Sequence, residues 1–390
     1  MTGGSSRKRS GGRKRRRKRP NPAEQLTDDL LVEILSRVPY RSLRRFTCVS
    51  KRWRDLIAHP DHRRKLPQTL AGFFCHASTR CFVNASETGP PLVDPSLWFL
   101  PDREREGCRA LLDGCNGLLL CRCFRFADPD EFDYLIINPA TEKWVAVPVS
   151  RRWSNKVEMA RLGFEPAVSS HFHVFEFQLN WDGDDDYGDA HVLGVKIYSS
   201  KTGLWSYKES GWEVGITLDL DFNSVFVDGI LYVIATCCVI AAVDVEGKTW
   251  RIIDFPRSEN SHFFDTDVGF IDLSKGKLHL ANSDDITGDK LAIWVLEDRN
   301  SEDWTLKHTV SFRHLVGKKS VHCGYDEFIV VAIHPDRNMV FFVFGDKNKL
   351  MSYDMGSEEV RLIRILGHDC DEHCISYVPL FSEACVGGQQ

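Results

Sequence analysis

The stretch "SVFVDGILYVIATCCVIAAVDVEGKTWRIIDFP", residues 224–256, contains the pattern that decides the fold of most of this 390-residue chain. It holds short runs rich in valine and isoleucine, separated by turn signals, which is typical of consecutive β-strands. Asp228-Gly229 between two such runs favours a tight hairpin. The uncharged run 229–243 is shorter than the roughly 20 residues that a membrane-spanning helix needs, so buried strands explain it better.

Units of the same kind recur along the chain, each with several β-rich runs, a turn and often a late tryptophan. Their markers, separated by 61, 45, 54 and 56 residues, are Trp144, Trp205, Trp250, Trp304 and Val360. A period near 40–50 residues with about four strands per unit is typical of the blades of a β-propeller. Looser turns are predicted at Lys275-Gly276 and Pro335-Asp336.

The two ends of this β-rich region are expected to meet. Residues 67–113 are predicted to supply part of a further blade, which the C-terminal run "CISYVPL", residues 374–380, would close. Closure leaves only short, protected sheet edges, which a row of open sheets would not. We therefore predict one closed domain over residues 67–390, with six blades expected and seven left open.

The N-terminal stretch "LTDDLLVEILSRVP", residues 26–39, has a different period. Its apolar residues fall at helical spacing, which predicts one apolar stripe made of Leu30, Ile34, Leu35 and Val38. Thr27 can cap this helix, and Pro39 ends it. A second short helix is predicted from about Ser42.

A third helix is predicted after Ser50, which can cap it, with Trp53, Leu56 and Ile57 on one face. The basic residues around it occupy polar positions and are expected to form a solvated face; they are Arg44, Arg45, Lys51, Arg52 and Arg54. About 40 residues in three short helices bury little surface on their own. Their remaining exposed apolar side chains therefore predict a protein partner.

The order of these residues resembles the F-box family. The matching positions are Leu26-Thr27, Leu30-Leu31, Ile34-Leu35, Val38-Pro39, Leu43 and Val49-Ser50-Lys51-Arg52-Trp53-Arg54-Asp55-Leu56-Ile57. Thr27 departs from the usual proline, and His62 stands where an aromatic residue is common. Neither departure removes an apolar anchor, although Thr27 is expected to weaken docking.

Later segments resemble the F-box-associated β-propeller domain that is common in plant F-box proteins. The segments that carry this resemblance are "DGCNGLLL", "NPATEKW" and "YSSKTGLW". The expected fold is therefore multidomain, with a small all-α F-box of three short helices followed by an all-β propeller. The expected boundaries are a disordered basic tail at 1–21, an F-box domain at 22–66 and the propeller at 67–390.

The resemblance implies the substrate-recognition subunit of an SCF-type E3 ubiquitin ligase. The F-box would dock on a Skp-type adaptor and, through it, on a cullin scaffold, while the propeller would bind a protein substrate. The residues implied in adaptor binding are Leu26, Leu30, Ile34, Leu35, Pro39, Leu43, Val49, Trp53, Leu56 and Ile57, some of which must instead form the small helical core. Such a chain needs no cofactor and performs no bond chemistry itself.

The first residues of the chain are strongly basic. Residues 7–19 hold ten of the 50 lysines and arginines and no acid, so residues 20–390 carry 40 basic against 55 acidic residues, a net charge of −15. A nuclear localisation signal is predicted at Arg13, Lys14, Arg15, Arg16, Arg17, Lys18 and Arg19. The expected location is the nucleus, with the cytoplasm as a further site, and a purely solubilising tail stays open.

The sequence gives only weak evidence for a metal site. The acidic run "DGDDDYGD", residues 182–189, lacks the glycine and glutamate that a calcium-binding loop needs at fixed positions, so a solvated loop is expected. The group His368, Cys370, His373 and Cys374 matches no common zinc spacing. The 13 cysteines are odd in number with no secretory context, so reduced thiols are expected.

Two other classes of function stay open at this stage. A nucleic-acid-associated nuclear F-box protein without ligase activity would bind only through the basic tail, in a salt-dependent way. A propeller enzyme with an attached F-box would show clustered carboxylates of perturbed pKa in a central pocket. No Walker loop, Rossmann fingerprint, HExxH or GxSxG motif is present in the sequence.

Overall fold

The computed structural model describes most of the chain from residue 26 onward. The described residues are 26–38, 42, 45–46, 48–59, 62, 70–75, 80–85, 90–125, 128–148, 159–181, 190–212, 216–218, 223–236, 238–256, 269–283, 289–317, 328–368 and 374–381. Among them no helix is both long enough and apolar enough to cross a membrane. The basic tail, with the predicted signal at Arg13–Arg19, lies outside the described residues and stays a prediction.

Two helices form the N-terminal region, α1 (Asp28–Ser36) and α2 (Lys51–Ala58). Both begin as predicted: the Thr27 side chain accepts a hydrogen bond from the Leu30 N–H at 3.4 Å, and that of Ser50 accepts one from the Trp53 N–H at 3.1 Å. Residues 42, 45 and 46 are helical at the place of the predicted second helix. The helices share a small core of Leu31, Val32, Leu35, Leu56 and Ile57.

Within the described residues, twenty-three strands and two further short helices, α3 (Asp102–Gly107) and α4 (Phe312–Val316), follow. The strands are β1 (Gly72–Cys75), β2 (Cys81–Asn84), β3 (Cys108–Cys115), β4 (Leu118–Arg125), β5 (Asp128–Asn138), β6 (Lys143–Val147), β7 (Met159–Phe164), β8 (Phe172–Trp181), β9 (Ala190–Ser199), β10 (Leu204–Glu209), β11 (Ser224–Val227), β12 (Ile230–Ala235), β13 (Val239–Asp244), β14 (Trp250–Asp254), β15 (Phe270–Ser274), β16 (Lys277–Ser283), β17 (Lys290–Leu296), β18 (Trp304–Ser311), β19 (Phe328–Ile333), β20 (Met339–Phe344), β21 (Lys349–Asp354), β22 (Glu359–Ile365) and β23 (Cys374–Tyr377).

These strands form a six-bladed β-propeller, which confirms the predicted fold and blade number. Blades 2 to 6 are four-stranded antiparallel sheets of consecutive strands, β3–β6, β7–β10, β11–β14, β15–β18 and β19–β22. Blade 1 is a three-stranded sheet in the order β2-β1-β23. The innermost strands contact each other in a closed ring, in the order β23, β3, β7, β11, β15 and β19.

The last strand closes the ring, as predicted. β23 pairs antiparallel with β1, placing Tyr377 opposite Gly72 and Cys374 opposite Cys75. The extent of the first blade was predicted less well, because residues 67–113 do not all belong to it. β3 is instead the innermost strand of blade 2, since it pairs with β4.

Apolar side chains fill the spaces between neighbouring blades. Each of six clusters draws its buried residues mainly from two adjacent blades. The cluster between blades 3 and 4, for example, joins Phe177 to Val233 and Ala241. A blade therefore buries its apolar faces against its neighbours, which is why the sheets must stack as a ring.

The outermost strands begin at the predicted markers or next to them. Trp250 and Trp304 are the first residues of β14 and β18, and Trp205 is the second residue of β10. Two of these indoles reach the preceding blade: Trp205 Nε1 donates to the Pro148 carbonyl at 2.6 Å, and Trp304 Nε1 to the Asp254 carbonyl at 2.9 Å. The repeated tryptophan therefore ties the outer edges of adjacent blades together.

The turns between first and second strands lie on one face of the ring, here called the hairpin face. Asp228-Gly229 is the predicted tight turn, with both residues at positive φ, 51° and 75°. Lys275-Gly276, at 52° and 74°, is the same two-residue turn, so the expectation of a looser turn there was wrong. A lysine is an unusual residue at positive φ, which hides this turn in the sequence.

Candidate protein-docking site

Helix α1 presents two different apolar faces. Leu31, Val32 and Leu35 are at most 2% exposed and form the core with α2. Leu30 and Ile34 are 53% and 45% exposed and lie one turn apart, on the same side of the helix. The predicted single stripe of Leu30, Ile34, Leu35 and Val38 was therefore wrong, because Leu30 and Ile34 point away from the core.

A third large apolar side chain, Val49, is 63% exposed just before the cap of α2. Among the described residues of this region, Leu30, Ile34 and Val49 are the large apolar side chains that stay exposed. We call these three residues the exposed apolar set. Exposed aliphatic side chains next to a small core are typical of a surface that a protein partner covers.

The other residues predicted to bind an adaptor occupy different environments. Leu35, Leu56 and Ile57 are core residues, at most 7% exposed. Leu26 and Trp53 are partly buried against that core. Pro39 and Leu43 lie outside the described residues. The structure thus separates a packing set from an exposed set, a division that the spacing alone left open.

One of the arginines expected on the solvated face has a specific role. Arg52 Nε donates to Asp28 Oδ1 at 2.8 Å, and its Nη2 donates to the Leu26 carbonyl at 2.6 Å. It therefore joins the beginning of α1 to α2, although its side chain stays exposed on the predicted solvated face. Arg54, in contrast, is exposed and lies 3.6 Å from the Asp55 carboxylate.

The helical region also contacts the far end of the propeller. Trp53 packs edge-on against Phe46, with ring centroids 4.9 Å apart. Phe381, four residues beyond the end of β23, packs against the same helical core. Between them, Leu380 is fully buried in the cluster of blades 2 and 3. The C-terminal segment therefore links the helical core to the propeller.

The helical region lies on the hairpin face. β1 is the second strand of blade 1 and β23 its innermost strand, so β1 begins and β23 ends at the same end of that sheet. The turn residue Gly117 of blade 2 closely approaches the Leu380 backbone, which places that end on the hairpin face. The opposite face carries the connections between second and third strands and between blades; we call it the loop face.

Comparison with known proteins agrees with both parts of this architecture. Residues 24–65 match the F-box domain family. Residues 95–383, about three quarters of the chain, match the family described as "F-box protein At3g26010-like, beta-propeller". The chain belongs to this F-box propeller family.

Its relatives are F-box proteins of Arabidopsis thaliana. F-box protein At5g07610 is 25% identical over 81% of this chain and 76% of its own length. F-box protein At3g26010 is 23% identical over 92% of this chain and 84% of its own length. A solved structure of a DUF4784 family protein from Bacteroides caccae shows a TM-score of 0.41 and 12% identity over 80% of this chain and 74% of that one, a likeness too weak to carry an argument.

The innermost strands of this F-box propeller carry two carboxylates that were not predicted, Asp113, which is buried, and Asp272, which is half-buried. Asp113 Oδ2 on β3 accepts hydrogen bonds from the Leu162 N–H of β7 at 2.7 Å and from Ser224 Oγ of β11 at 3.0 Å. Asp272 Oδ2 on β15 accepts one from the Ile333 N–H of β19 at 2.9 Å. Each carboxylate therefore ties its own innermost strand to the next one in the ring.

Burial raises the pKa of both carboxylates. It raises the pKa of Asp113, against the opposing effect of Arg161. It raises the pKa of Asp272 to about 7, even though two backbone N–H groups favour the charged form. All the hydrogen-bond partners of these carboxylates are innermost-strand groups, so the geometry indicates a structural role.

A second buried polar group lies between blades 2 and 3. Tyr134 Oη donates to Glu176 Oε1 at 3.5 Å, and Lys196 Nζ lies 3.9 Å from Glu176 Oε2. Burial raises the pKa of Glu176 and lowers that of Lys196. Both side chains are at most 6% exposed, so a protein ligand cannot reach them.

The remaining candidate sites fall partly or wholly outside the described chain. Residues 182–189 lie between β8 and β9 in the sequence and outside the described chain. Cys370 and His373 of the candidate zinc group also lie outside it. Within the described residues, no three histidine, cysteine or acidic side chains are placed to hold a metal ion.

Proposed function

We propose that this chain is the substrate-recognition subunit of an SCF-type E3 ubiquitin ligase. The observation that carries the proposal is the exposed apolar set on an F-box that is fixed to a closed propeller. The F-box belongs to a family whose domain implies binding to a Skp-type adaptor. The cullin scaffold and the protein substrate are the further partners that this role requires.

The exposed apolar set supplies the energy for adaptor docking. Leu30 and Ile34 are each about half exposed, and burying such a side chain contributes up to about 1.5–3 kcal/mol. Leu35 faces the core and keeps α1 in place for that contact. Arg52 fixes the angle between α1 and α2 through Asp28 and the Leu26 carbonyl.

The loop face is the surface that we assign to substrate. The F-box and the C-terminal segment lie on the hairpin face, which leaves the opposite face accessible to a second protein. In blades 2 to 6, each outermost strand ends there and each innermost strand begins there, and binding residues are commonly carried on loops held by a rigid scaffold. Holding the substrate there raises its effective concentration near the ubiquitin-charged enzyme, so the chain itself needs no catalytic group.

The test is adaptor binding by the full chain carrying Leu30→Asp and Ile34→Asp. We expect affinity for a purified Skp-type adaptor to fall at least about 100-fold, because two buried apolar contacts are replaced by charges. The matched control is Leu306→Asp on β18, a propeller leucine of similar exposure, 44%. Leu35 is left unchanged, since a charge at this fully buried position would unfold the F-box.

Thermal unfolding of the variants checks that both domains remain folded. Binding by the Leu30/Ile34 variant that equals binding by wild type and Leu306→Asp would show that this face does not meet the adaptor.

We further propose that residues 13–19 direct the chain to the nucleus. Seven consecutive basic residues support this assignment. A fluorescent fusion lacking residues 1–20 should shift toward the cytoplasm relative to the full chain. An unchanged distribution would favour a solubilising tail, and salt-dependent DNA or RNA binding lost with residues 1–20 would favour the nucleic-acid-associated alternative.

A further inference from the structure

Three cysteines form a row across blade 1. Cys75 on β1 lies opposite Cys81 on β2 and opposite Cys374 on β23. The sulfur atoms of Cys75 and Cys374 are 2.6 Å apart, although the two residues are 299 positions apart in sequence. This pair joins the first strand of the propeller to the strand that closes it.

The geometry of this pair suits a covalent bond. Residues directly opposite each other in an antiparallel pair have Cβ atoms about 4.5–5.5 Å apart, close to the separation of about 3.5–4.5 Å in disulfides. The sulfur atoms are already closer than two unbonded sulfurs normally approach, so neither strand has to move far. Cys75 is 2% exposed, whereas Cys374 is half-buried at the start of β23.

We propose that Cys75 and Cys374 are a reversible oxidation site that locks the propeller ring. The oxidant class is a peroxide. The half-buried thiolate of Cys374 attacks a peroxide oxygen; the O–O bond breaks, hydroxide leaves and takes up the proton that the thiol released to become water, and Cys374 becomes a sulfenic acid. The Cys75 thiolate then attacks the Cys374 sulfur, and hydroxide leaves and is protonated to a second water. Two thiols lose two electrons in total, which reduce the peroxide.

The bond would act where the two ends of the propeller chain meet. Without it, backbone pairing and side-chain packing hold β23 to β1. A disulfide between residues so distant in sequence strongly restricts the opened chain, which stabilises the closed ring. The effect extends to the F-box, because the same segment continues through buried Leu380 to Phe381 on the helical core.

Cys81 provides the matched control. It occupies the same row and lies opposite Cys75 on the other side, but it belongs to the hairpin that β1 forms with β2. A Cys75–Cys81 bond would cross-link a local hairpin and leave β23 free to separate. The position of the bond therefore decides whether oxidation locks the ring.

The experiment treats the reduced, purified full chain with hydrogen peroxide. Peptide mapping should find Cys75 linked to Cys374, and the Tm should rise by about 5 °C or more and return on treatment with dithiothreitol. Cys81→Ser should keep the link and the rise, and Cys374→Ser should lose both. Cys75→Ala replaces Cys374→Ser if that variant fails to fold.

The peptide map of the wild-type chain is decisive whatever the variants do. A predominant Cys75–Cys81 link, no link at Cys75, or a Cys75–Cys374 link without a rise in Tm would each overturn the proposal.

Discussion

At the scale of single residues, Asp113 and Asp272 perform the same task at two places in the ring. Each sits on an innermost strand and accepts the backbone N–H of the next innermost strand, at 2.7 and 2.9 Å. An N–H group on an innermost strand has no sheet partner on its inner side, and leaving a buried donor unpaired costs about 1–3 kcal/mol. The carboxylates therefore satisfy groups that the closed ring would otherwise leave unpaired.

Asp272 predicts a measurable pH dependence of stability. Burial raises its pKa from 3.8 to about 7, so the folded protein binds a proton more tightly than the unfolded chain between these values. Its contribution to stability is largest below pH 4 and is lost as the pH rises through 7. Between pH 5.5 and 8, the free energy of unfolding of wild type should therefore fall by about 1–2 kcal/mol more than that of Asp272→Asn. This figure allows for the partial exposure of Asp272.

The control is Asp354→Asn. The Ser357 and Gly356 N–H groups lower the pKa of Asp354 below 3.8, so this group titrates below the tested range. Its substitution should shift stability by a constant amount from pH 5.5 to 8, as measured by urea unfolding. Parallel pH profiles for wild type and Asp272→Asn would contradict the proposed titration.

At the scale of elements, the closing strand β23 and the segment after it fill more of the space between blades than the length of β23 suggests. It supplies the innermost strand of blade 1, and Tyr377 is buried between blades 1 and 2. Leu380, three residues further on, is buried between blades 2 and 3. Four strand residues and the segment after them thus complete two of the spaces between blades.

Deleting residues 370–390 should destabilise the whole propeller. It removes an innermost strand, and the loss of two large buried side chains alone costs about 5 kcal/mol or more. Thermal unfolding and limited proteolysis compare the truncated and full chains. A truncated chain that melts at the full-length temperature and resists protease equally would show that β23 does not hold the ring closed.

A single substitution separates two roles of the C-terminal segment. Phe381 packs on the F-box core, so the C-terminal segment contacts the F-box although the two lie at opposite ends of the sequence. Phe381→Ala leaves β23 and Leu380 in place and tests that contact alone. It should loosen the F-box, seen as faster protease cleavage between residues 59 and 70, while the propeller melts as in wild type.

The elements themselves were largely predictable, and their partners were less so. Strands, tight turns and the tryptophans of the outer strands have local signals in the sequence. The run "CISYVPL" likewise has the pattern of a strand, which must pair with another strand of the propeller. The turn at Lys275-Gly276 was misjudged, because a lysine at positive φ breaks the residue preference that marks such turns. The division of α1 into Leu30 and Ile34 outside and Leu35 inside depends on where α2 packs, which no local pattern states.

At the scale of the whole molecule, the fold separates two surfaces. The F-box and the C-terminal segment lie on the hairpin face, and the loop face is directed away from them. In the proposed complex, a rigid ring between the two surfaces would fix the distance from adaptor to substrate, which a flexible linker would not. The order of motifs predicts an F-box followed by a propeller, but the position of the F-box on the hairpin face follows from β23 being innermost, a fact visible only in the closed ring.

The most direct test of the receptor role is quantitative ubiquitin-remnant proteomics of plant cells that express either the intact chain or the Leu30→Asp, Ile34→Asp variant. Both keep the same propeller, so both should capture the same substrate, but only the intact chain reaches the adaptor. The account predicts at least one protein that co-purifies with both chains and that carries ubiquitin and declines in abundance only with the intact one. If the intact chain binds the adaptor, and yet no protein bound by the propeller differs in ubiquitination between the two, the chain is not a substrate receptor.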